Sequence, residues 1–469
     1  MLRKAFMLVS GNAFGSALLL VRNLIIARLV SPEDYGIAST FAVAMSIVEM
    51  LSYLGLNQMI VVDRDGDDPA VQKAMQGFQL MRGMVSSLIL FAIAIPYARF
   101  LGVEHVAWAY QLIAFIPLVN GLQHYDIHRL KRHLVFRPWI VSQAVPPFVS
   151  VLAVWPLAYL YGDYRIMLVS LFIQSGAMVV LSHLTAERRY GIGLDFGLIR
   201  RATVFGWPLL LNGVLLFGVF NGERLIVGRE LGMSQLAVFS MAITLTLTPT
   251  LVLAGAAQSL FLPALSGARD RVESFRWLGT AAVESGLAIG VGLILGMALL
   301  GGPVVHLLLG PKYAAMLDLL MPMAVMQAVR VAKSGGSTVA LARERSGNAA
   351  AANLIRVLSL PISWYAVAHT GDVLTIIHIA TIAEVAGYLV SIRLAARRTG
   401  LLIGPLVLPS LLSMFAGVAA LIDAHYHPPL PGLVEHLGWT RWFVAFFCLA
   451  ALLSMSALRG YLWRQFMRR

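Results

Sequence analysis

The sequence predicts an all-α integral membrane protein of about fourteen transmembrane helices, and three features predict it: composition, long apolar segments and the placement of basic residues. Of the 469 residues, 59% are hydrophobic and only 13% are charged, whereas soluble domains carry roughly 25% charged residues. The mean hydropathy is +0.78. A water-soluble fold could not bury this much apolar surface, so lipid must cover much of it. The composition therefore excludes a soluble enzyme.

The apolar segments are the first element of this prediction. A transmembrane helix needs about 20 predominantly apolar residues, and fourteen segments meet that length. Pro117 lies inside the fourth of them, where it predicts a kink rather than a break. All loops between the segments are short, so no soluble domain is inserted. The segments lie at about 5–27, 36–56, 73–98, 107–125, 138–160, 165–184, 203–228, 235–261, 277–300, 314–332, 348–368, 373–395, 403–423 and 441–461.

The basic residues predict the orientation of these segments. With the N-terminus in the cytoplasm, the cytoplasmic side carries 26 of the 36 Lys and Arg residues and the opposite side carries six. Four of the 26 are assigned to the connection between the tenth and eleventh segments. Cytoplasmic loops of membrane proteins are enriched in Lys and Arg, so both termini are predicted to be cytoplasmic. This placement also accounts for the formal net charge of +13 without nucleic acid.

An internal repeat predicts two lobes. Residues 23–29, Asn-Leu-Ile-Ile-Ala-Arg-Leu, align without gaps on residues 224–230, Arg-Leu-Ile-Val-Gly-Arg-Glu. Parallel repeats of this kind are typical of transporters that rock two lobes around a central site. The predicted division is a six-helix N-terminal lobe at 1–200, a six-helix C-terminal lobe at 201–400, and two additional helices at 401–469.

Two motifs carry a resemblance to a known family. Residues 22–36, Arg-Asn-Leu-Ile-Ile-Ala-Arg-Leu-Val-Ser-Pro-Glu-Asp-Tyr-Gly, resemble the opening signature of bacterial polysaccharide flippases. Residues 223–232, Glu-Arg-Leu-Ile-Val-Gly-Arg-Glu-Leu-Gly, resemble the seventh helix of the same family, with Glu223 where Asp is commoner. The family belongs to the multidrug, oligosaccharidyl-lipid and polysaccharide flippase superfamily.

The resemblance implies a function, a location and partners. Such flippases move undecaprenyl-diphosphate-linked oligosaccharides across the bacterial cytoplasmic (inner) membrane by alternating access, for O-antigen or exopolysaccharide biosynthesis. The implied partners are the lipid-linked oligosaccharide, membrane lipid, and a polymerase with other polysaccharide assembly proteins. No nucleic acid, cofactor, metal or catalytic residue is expected. Arg22 resembles an arginine that lipid II flippases use toward the lipid diphosphate.

Charged side chains inside the N-terminal segments are candidates for the substrate cavity, because intramembrane charges are costly and tend to face such cavities. The candidates are Arg22 and Asn23 on the first segment, Glu49 on the second and Arg82 on the third. Two roles for Arg22 remain open besides phosphate contact. It could form a structural pair with Glu49, or extend outward to the membrane surface.

The C-terminal lobe offers a second set of candidates. Glu223 and Arg224 are adjacent and so point about 100° apart on a helix, which favours pairing with neighbouring helices as much as substrate contact. Arg356 lies inside the eleventh segment and is predicted either to contact substrate or to pack the lobe. Glu384 in the twelfth is a candidate for coupling to H⁺ or Na⁺, as is Glu49, although a hydrogen-bonded structural acid is the commoner case.

Weaker expectations concern the ninth, thirteenth and fourteenth segments. Glu284 in the ninth segment is a weaker candidate for the cavity. The last two segments contain almost no internal charge, so they are expected to face lipid and to shape a groove for the lipid tail.

Two other functions fit the same architecture. A cation or drug antiporter of the same superfamily would be expected to concentrate acidic residues in the N-terminal cavity, whereas here Glu49 faces two arginines. A membrane polysaccharide polymerase is the less favoured alternative, because such enzymes usually need a large external loop and all loops here are short. The favoured prediction is therefore a flippase for an anionic lipid-linked substrate.

Overall fold

The computed structural model is all-helical across the residues that it describes, which are 2–51, 56, 59–60, 65–133, 135–345, 347–426 and 439–467. In the first half these residues form α1 (Leu2–Leu29), α2 (Pro32–Leu51), α3 (Pro69–Phe100), α4 (Ala107–Ile113), α5 (Ile116–Gly121), α6 (Asp126–Arg132), α7 (Arg137–Leu160), α8 (Arg165–Leu184) and α9 (Phe196–Glu230). The second half follows with α10 (Gly232–Gly267), α11 (Val272–Leu309), α12 (Met316–Ala342), α13 (Gly347–Thr370), α14 (Val373–Thr399), α15 (Gly404–Tyr426), α16 (Trp439–Ser454) and α17 (Ser456–Phe466).

The predicted fold class is confirmed, and each of the fourteen predicted segments overlaps a helix or a broken run of helices. By length and hydropathy, nine of the described helices could cross a membrane, and eleven spans result if each of two bent pairs is one span. The three remaining segments correspond to α1, α2 and α12. Each of these helices has at least 20 residues.

The fourth predicted segment, 107–125, is not one kinked helix. It is divided into α4 and α5, and the chain bends by 50° between the run that ends at Gly121 and α6, which starts at Asp126 just beyond the segment. Pro117 lies in the first turn of α5. Proline is tolerated at that position because the first amides of a helix have no partner inside it. The proline therefore starts a new helix here instead of bending an existing one.

Packing divides the chain into two units, and the first is Met1–Ala237. Within it, α1 packs on α7, α7 on α8, α3 on α5, and α2 on α9. The helix α9, which contains the seventh predicted segment, thus belongs to the first unit by its contacts. The predicted division at 1–200, 201–400 and 401–469 concerns the sequence repeat and stays a prediction.

The second unit is Val238–Arg469. The helix α12 packs on both α11 and α14, α13 packs on α14, and α15 packs on α16. Small residues let α11 and α12 approach closely, because Gly286 and Gly290 lie directly against the backbone of Ala332 and Ala328. Close backbone approach at small residues is how transmembrane helices gain packing energy without a hydrophobic driving force.

The last span is broken, and an acid from another helix stabilises the break. The helices α16 and α17 meet at an angle of 63°, and Met455, which precedes α17, provides no side-chain cap. Instead, Glu284 of α11 is fully buried and its Oε2 accepts a hydrogen bond from the Leu458 amide at 2.6 Å. A carboxylate at a helix N-terminus satisfies otherwise unpaired amides and favours the helix dipole. Glu284 therefore supports the fold as a cap for α17.

Replacing Gly36 with alanine should destabilise the first unit. Gly36 lies on α2, and a methyl group at this position would overlap the carbonyl oxygen of Met233. Overpacking costs about 1–3 kcal/mol, and a rigid backbone oxygen cannot move aside as a side chain can. The control is Gly176→Ala on α8, where a methyl group would meet open space and alanine favours the helix. We expect a lower melting temperature for purified Gly36→Ala only, and equal melting temperatures for the two variants would contradict this packing.

Candidate functional site

Three positively charged side chains converge on one buried carboxylate in the second unit. The Nε of Arg330 donates to Glu384 Oε1 at 2.7 Å, and the Nζ of Lys333 donates to Oε2 at 2.8 Å. The Nε of Arg356 lies 3.3 Å from Oε1. Glu384 and Arg356 are completely buried. We call these four residues the Glu384 cluster.

The Glu384 cluster carries an excess of positive charge. Among these four residues three cations face one acid, and neutral groups add further contacts: Lys333 donates to Asn353 Oδ1 at 3.2 Å and Arg356 donates to Ser359 Oγ at 3.0 Å. Buried charges are tolerated only when they are paired and hydrogen-bonded. Because both carboxylate oxygens are held by fixed cations, the geometry does not favour a coupling ion at Glu384, and that role stays a prediction.

The sequence predicts separate roles for Arg356 and Glu384, and the structure brings the two side chains together. It also adds Arg330, near the end of the predicted tenth segment, and Lys333, just beyond it, both of which are counted among the cytoplasmic basic residues in the sequence analysis. Both lie inside α12, which continues to Ala342, ten residues beyond the predicted end of the tenth segment. Their spacing of three residues places them on one face of that helix, which was the signal available in the sequence. With these two moved into a helix, the predicted cytoplasmic side retains 24 basic residues against six.

In the first unit, Arg22 is buried between three helices. Its Nη1 donates to Ser150 Oγ on α7 at 3.1 Å and to Gln174 Oε1 on α8 at 2.5 Å. The side chain is 6% exposed, so it does not extend outward to the membrane surface. Its Nε has no hydrogen-bond partner among the described residues. Two neutral acceptors leave the positive charge of Arg22 uncompensated by these contacts.

Arg22 and Arg224, another candidate for the substrate cavity, share a neighbouring tyrosine. Tyr35 of α2 is buried and lies within electrostatic reach of both Arg22 and Arg224. Glu223, next to Arg224 on α9, is also buried. The structure therefore brings Arg22 and Arg224 to the same tyrosine within the first unit, although they are 202 positions apart in the sequence.

Of the other candidate residues of the first unit, Glu49 and Arg82 lie close to each other. Glu49 is exposed on α2, and the guanidinium of Arg82 on α3 is close enough to interact with its carboxylate. Asn23, beside Arg22, is half-buried, and its Oδ1 has no hydrogen-bond partner in the described part of the chain. Contact of any of these residues with substrate stays a prediction.

An apolar cavity of about 310 Å³ lies within the second unit. The helices α11, α12, α14 and α15 line it, with residues such as Leu287, Val325, Val385 and Met414. Neighbouring leucines of α14 and α15, including Leu389 and Leu411, are exposed. The cavity suits a hydrocarbon chain rather than a polar group.

Comparisons with known sequences identify a family. The family model for "Polysaccharide biosynthesis protein" matches residues 25–318. The chain is 27% identical over 304 residues to the succinoglycan biosynthesis transport protein ExoT of Rhizobium meliloti (strain 1021), a match that covers 62% of this chain and 58% of ExoT. It is 17% identical over 368 residues to an uncharacterized membrane protein in the cps region of Klebsiella pneumoniae, covering 75% of this chain and 73% of that protein.

Comparisons with solved structures identify the fold. The lipid II flippase MurJ in an inward closed conformation matches with a TM-score of 0.70 at 15% identity, over 98% of this chain and 99% of that one. An inward-facing multidrug resistance MATE transporter of the MOP superfamily matches with a TM-score of 0.69 at 13% identity, over 82% and 94%. With its apolar helices, the chain is a multi-pass membrane protein that has the fold of these transporters.

Proposed function

The chain belongs to the family of polysaccharide biosynthesis proteins, and from this premise we propose that it is a flippase. Its proposed substrate is an undecaprenyl-diphosphate-linked oligosaccharide repeat unit, which it moves across the bacterial inner membrane by alternating access. The proposed process is O-antigen or exopolysaccharide assembly. The name of its relative ExoT, a succinoglycan transport protein, supports the exopolysaccharide branch.

The observation that carries this proposal is the buried positive charge of the Glu384 cluster. Three cations surround one acid here, and guanidinium groups such as those of Arg330 and Arg356 bind phosphates through paired hydrogen bonds. Arg22, with two neutral acceptors, provides a second positive centre in the first unit. A lipid-linked diphosphate supplies anionic charge of the kind that these residues favour.

The apolar cavity supports a place for the lipid tail. The thirteenth predicted segment, which forms α15, contributes part of its lining, and the sequence predicts that this segment and the next face lipid and shape a groove for the lipid tail. In the bilayer the tail already lies in apolar surroundings, so no hydrophobic driving force favours its entry, but the apolar lining makes the cavity compatible with a polyprenyl chain. The tail would then remain in apolar surroundings while its head group crosses.

A flippase of this kind changes no covalent bond, so we infer that the protein is a transporter and not an enzyme. A polymerase and other assembly proteins are its proposed partners. Both termini are proposed to be cytoplasmic, because the bias of 24 basic residues to six follows the positive-inside rule. The alternative is a drug antiporter, and the likeness to a MATE transporter fits that alternative by fold.

Deleting the gene in its native bacterium should separate these two functions. For a flippase we expect loss of surface polymer and accumulation of the lipid-linked repeat unit, because the carrier can no longer reach the outer leaflet. Extracted lipid-linked oligosaccharide and surface polymer are quantified, with the wild-type gene on a plasmid as the rescue control. Unchanged polymer with increased drug accumulation would instead support the antiporter.

A further inference from the structure

A cavity lined by polar side chains lies at one end of the first unit, apart from the residues considered so far. Its volume is about 260 Å³. The first turns of α3 contribute Gln72, Lys73 and Gln76, and the chain before α6 contributes His124. The loop between α8 and α9 contributes Arg188, Arg189 and Gly191. We call this cavity the loop pocket.

One buried acid holds the loop that forms this pocket. Asp126, at the start of α6, is completely buried. Its Oδ2 accepts hydrogen bonds from the backbone amides of Glu187 at 2.8 Å and Arg188 at 3.2 Å. Arg129 binds the same carboxylate at 2.5 Å and also pairs with Glu187 at 3.1 Å. Arg129 thus pairs with both nearby acids, while the loop is fixed in position.

The loop also lies directly against α3. The amide of Gly193 donates to the Lys73 carbonyl at 3.0 Å, and a methyl group at Gly77 would overlap the carbonyl oxygen of Gly193. Only glycine allows the two backbones to approach so closely. Backbone contacts therefore hold the loop that carries Arg188 and Arg189 against α3.

Hydrogen-bond donors in the pocket exceed the acceptors available to them. His124 is 2% exposed, and its Nδ1 accepts the Asp126 amide at 3.1 Å, so the proton of the neutral ring is on Nε2. That Nε2 makes no well-aligned hydrogen bond among the described residues, and the backbone of Arg188 is the group close enough to interact with the ring. Lys73 and Arg189 are exposed, and within the same residues neither side chain forms an ion pair or hydrogen bond.

We propose that the loop pocket binds a phosphate or diphosphate group carried by a lipid at the membrane surface. Lys73, Arg189 and Arg188 provide positive charge, and His124 Nε2 provides a buried donor that lacks a well-aligned acceptor. The carboxylates beside the pocket are already paired, so a cation has no site there. This assignment rests on the proposed function for its preferred source, the diphosphate of a lipid-linked oligosaccharide held before it enters the transport path.

Direct binding to the purified full-length protein tests the loop pocket. We would titrate inorganic pyrophosphate and farnesyl diphosphate into the detergent-solubilised chain by isothermal calorimetry. Wild type should bind both saturably. Lys73→Gln with Arg189→Gln should weaken binding by about tenfold or more, since each lost charge-assisted contact is worth that factor. The matched control is Arg397→Gln with Arg398→Gln, two exposed residues at the end of α14, which should bind as wild type does.

Two further measurements assign the donor and the source. His124→Asn keeps an acceptor for the Asp126 amide but removes the buried donor, and should also weaken binding. In nanodiscs, displacement of farnesyl diphosphate by phosphatidylglycerol would identify a head-group phosphate as the source, and lack of displacement would identify the diphosphate. Equal binding by wild type and the Lys73/Arg189 variant, or no saturable binding, would overturn the proposal. Because no transport is measured, a chain that binds diphosphate but exports nothing would refute only the flippase function.

Discussion

Glu384→Gln is expected to cause the largest loss of stability of any single substitution in the second unit. The change keeps the shape of the side chain but removes the negative charge that Arg330, Lys333 and Arg356 surround. Removing one partner of a buried ion pair costs about 3–5 kcal/mol, and here three cations lose the same partner. We expect little monodisperse protein after extraction and a much lower melting temperature by intrinsic tryptophan fluorescence.

A second change separates charge from packing in this experiment. In the Glu384→Gln background, Lys333→Met removes one of the uncompensated cations while it retains a flexible apolar side chain, and it should restore part of the stability. The control is Thr381→Val, one turn earlier on α14, where the lost hydroxyl only contacts Ile377 of its own helix. If the double variant is no more stable than Glu384→Gln, charge balance is not what the cluster provides.

Arg22→Gln is expected to reduce polymer export by about tenfold or more, because charge-assisted contacts to phosphate are among the strongest hydrogen bonds that proteins form. Arg22→Lys keeps the charge but loses the planar fork, so it should retain partial export. Export is measured as surface polymer, normalised to the amount of the protein in the membrane. Near-normal export by Arg22→Gln would contradict a role for this residue in binding the diphosphate.

The structural role of Arg22 needs its own control. The sequence left open a pair with Glu49, but the hydrogen bonds of Arg22 go to Ser150 and Gln174. Ser150→Ala with Gln174→Leu removes both acceptors and leaves the guanidinium in place. We expect this double variant to keep substantial export, whereas a purely structural Arg22 would make it as defective as Arg22→Gln.

The fold class could be predicted because it depends on hydropathy and length, which the sequence displays directly. The end of the tenth segment could not, because Arg330 and Lys333 lower the hydropathy of α12 and end the apolar pattern early. Their burial depends on polar groups of other helices, among them the carboxylate of Glu384. Pro117 likewise permits either a kink or a helix start, and the neighbouring chain decides between them.

The candidate site, like the fold, could be predicted from the sequence only in part. Arg22, Arg356 and Glu384 could be selected individually because an intramembrane charge is costly wherever it lies. Their partners could not be predicted, because residues such as Gln174 carry no charge and are 152 positions away along the chain. The sequence therefore predicts which residues have a polar task, and the packing of helices determines which task it is.

The cap on α17 links the two ends of the second unit. Because Glu284 of α11 is fully buried and binds the first turn of α17, the last helix provides the donor that makes this carboxylate tolerable. A chain cut before Leu458 would lose more than its tail, since it would leave an acid without that donor deep among the helices. Truncation before Leu458 would thus destabilise the interior of the second unit around Glu284.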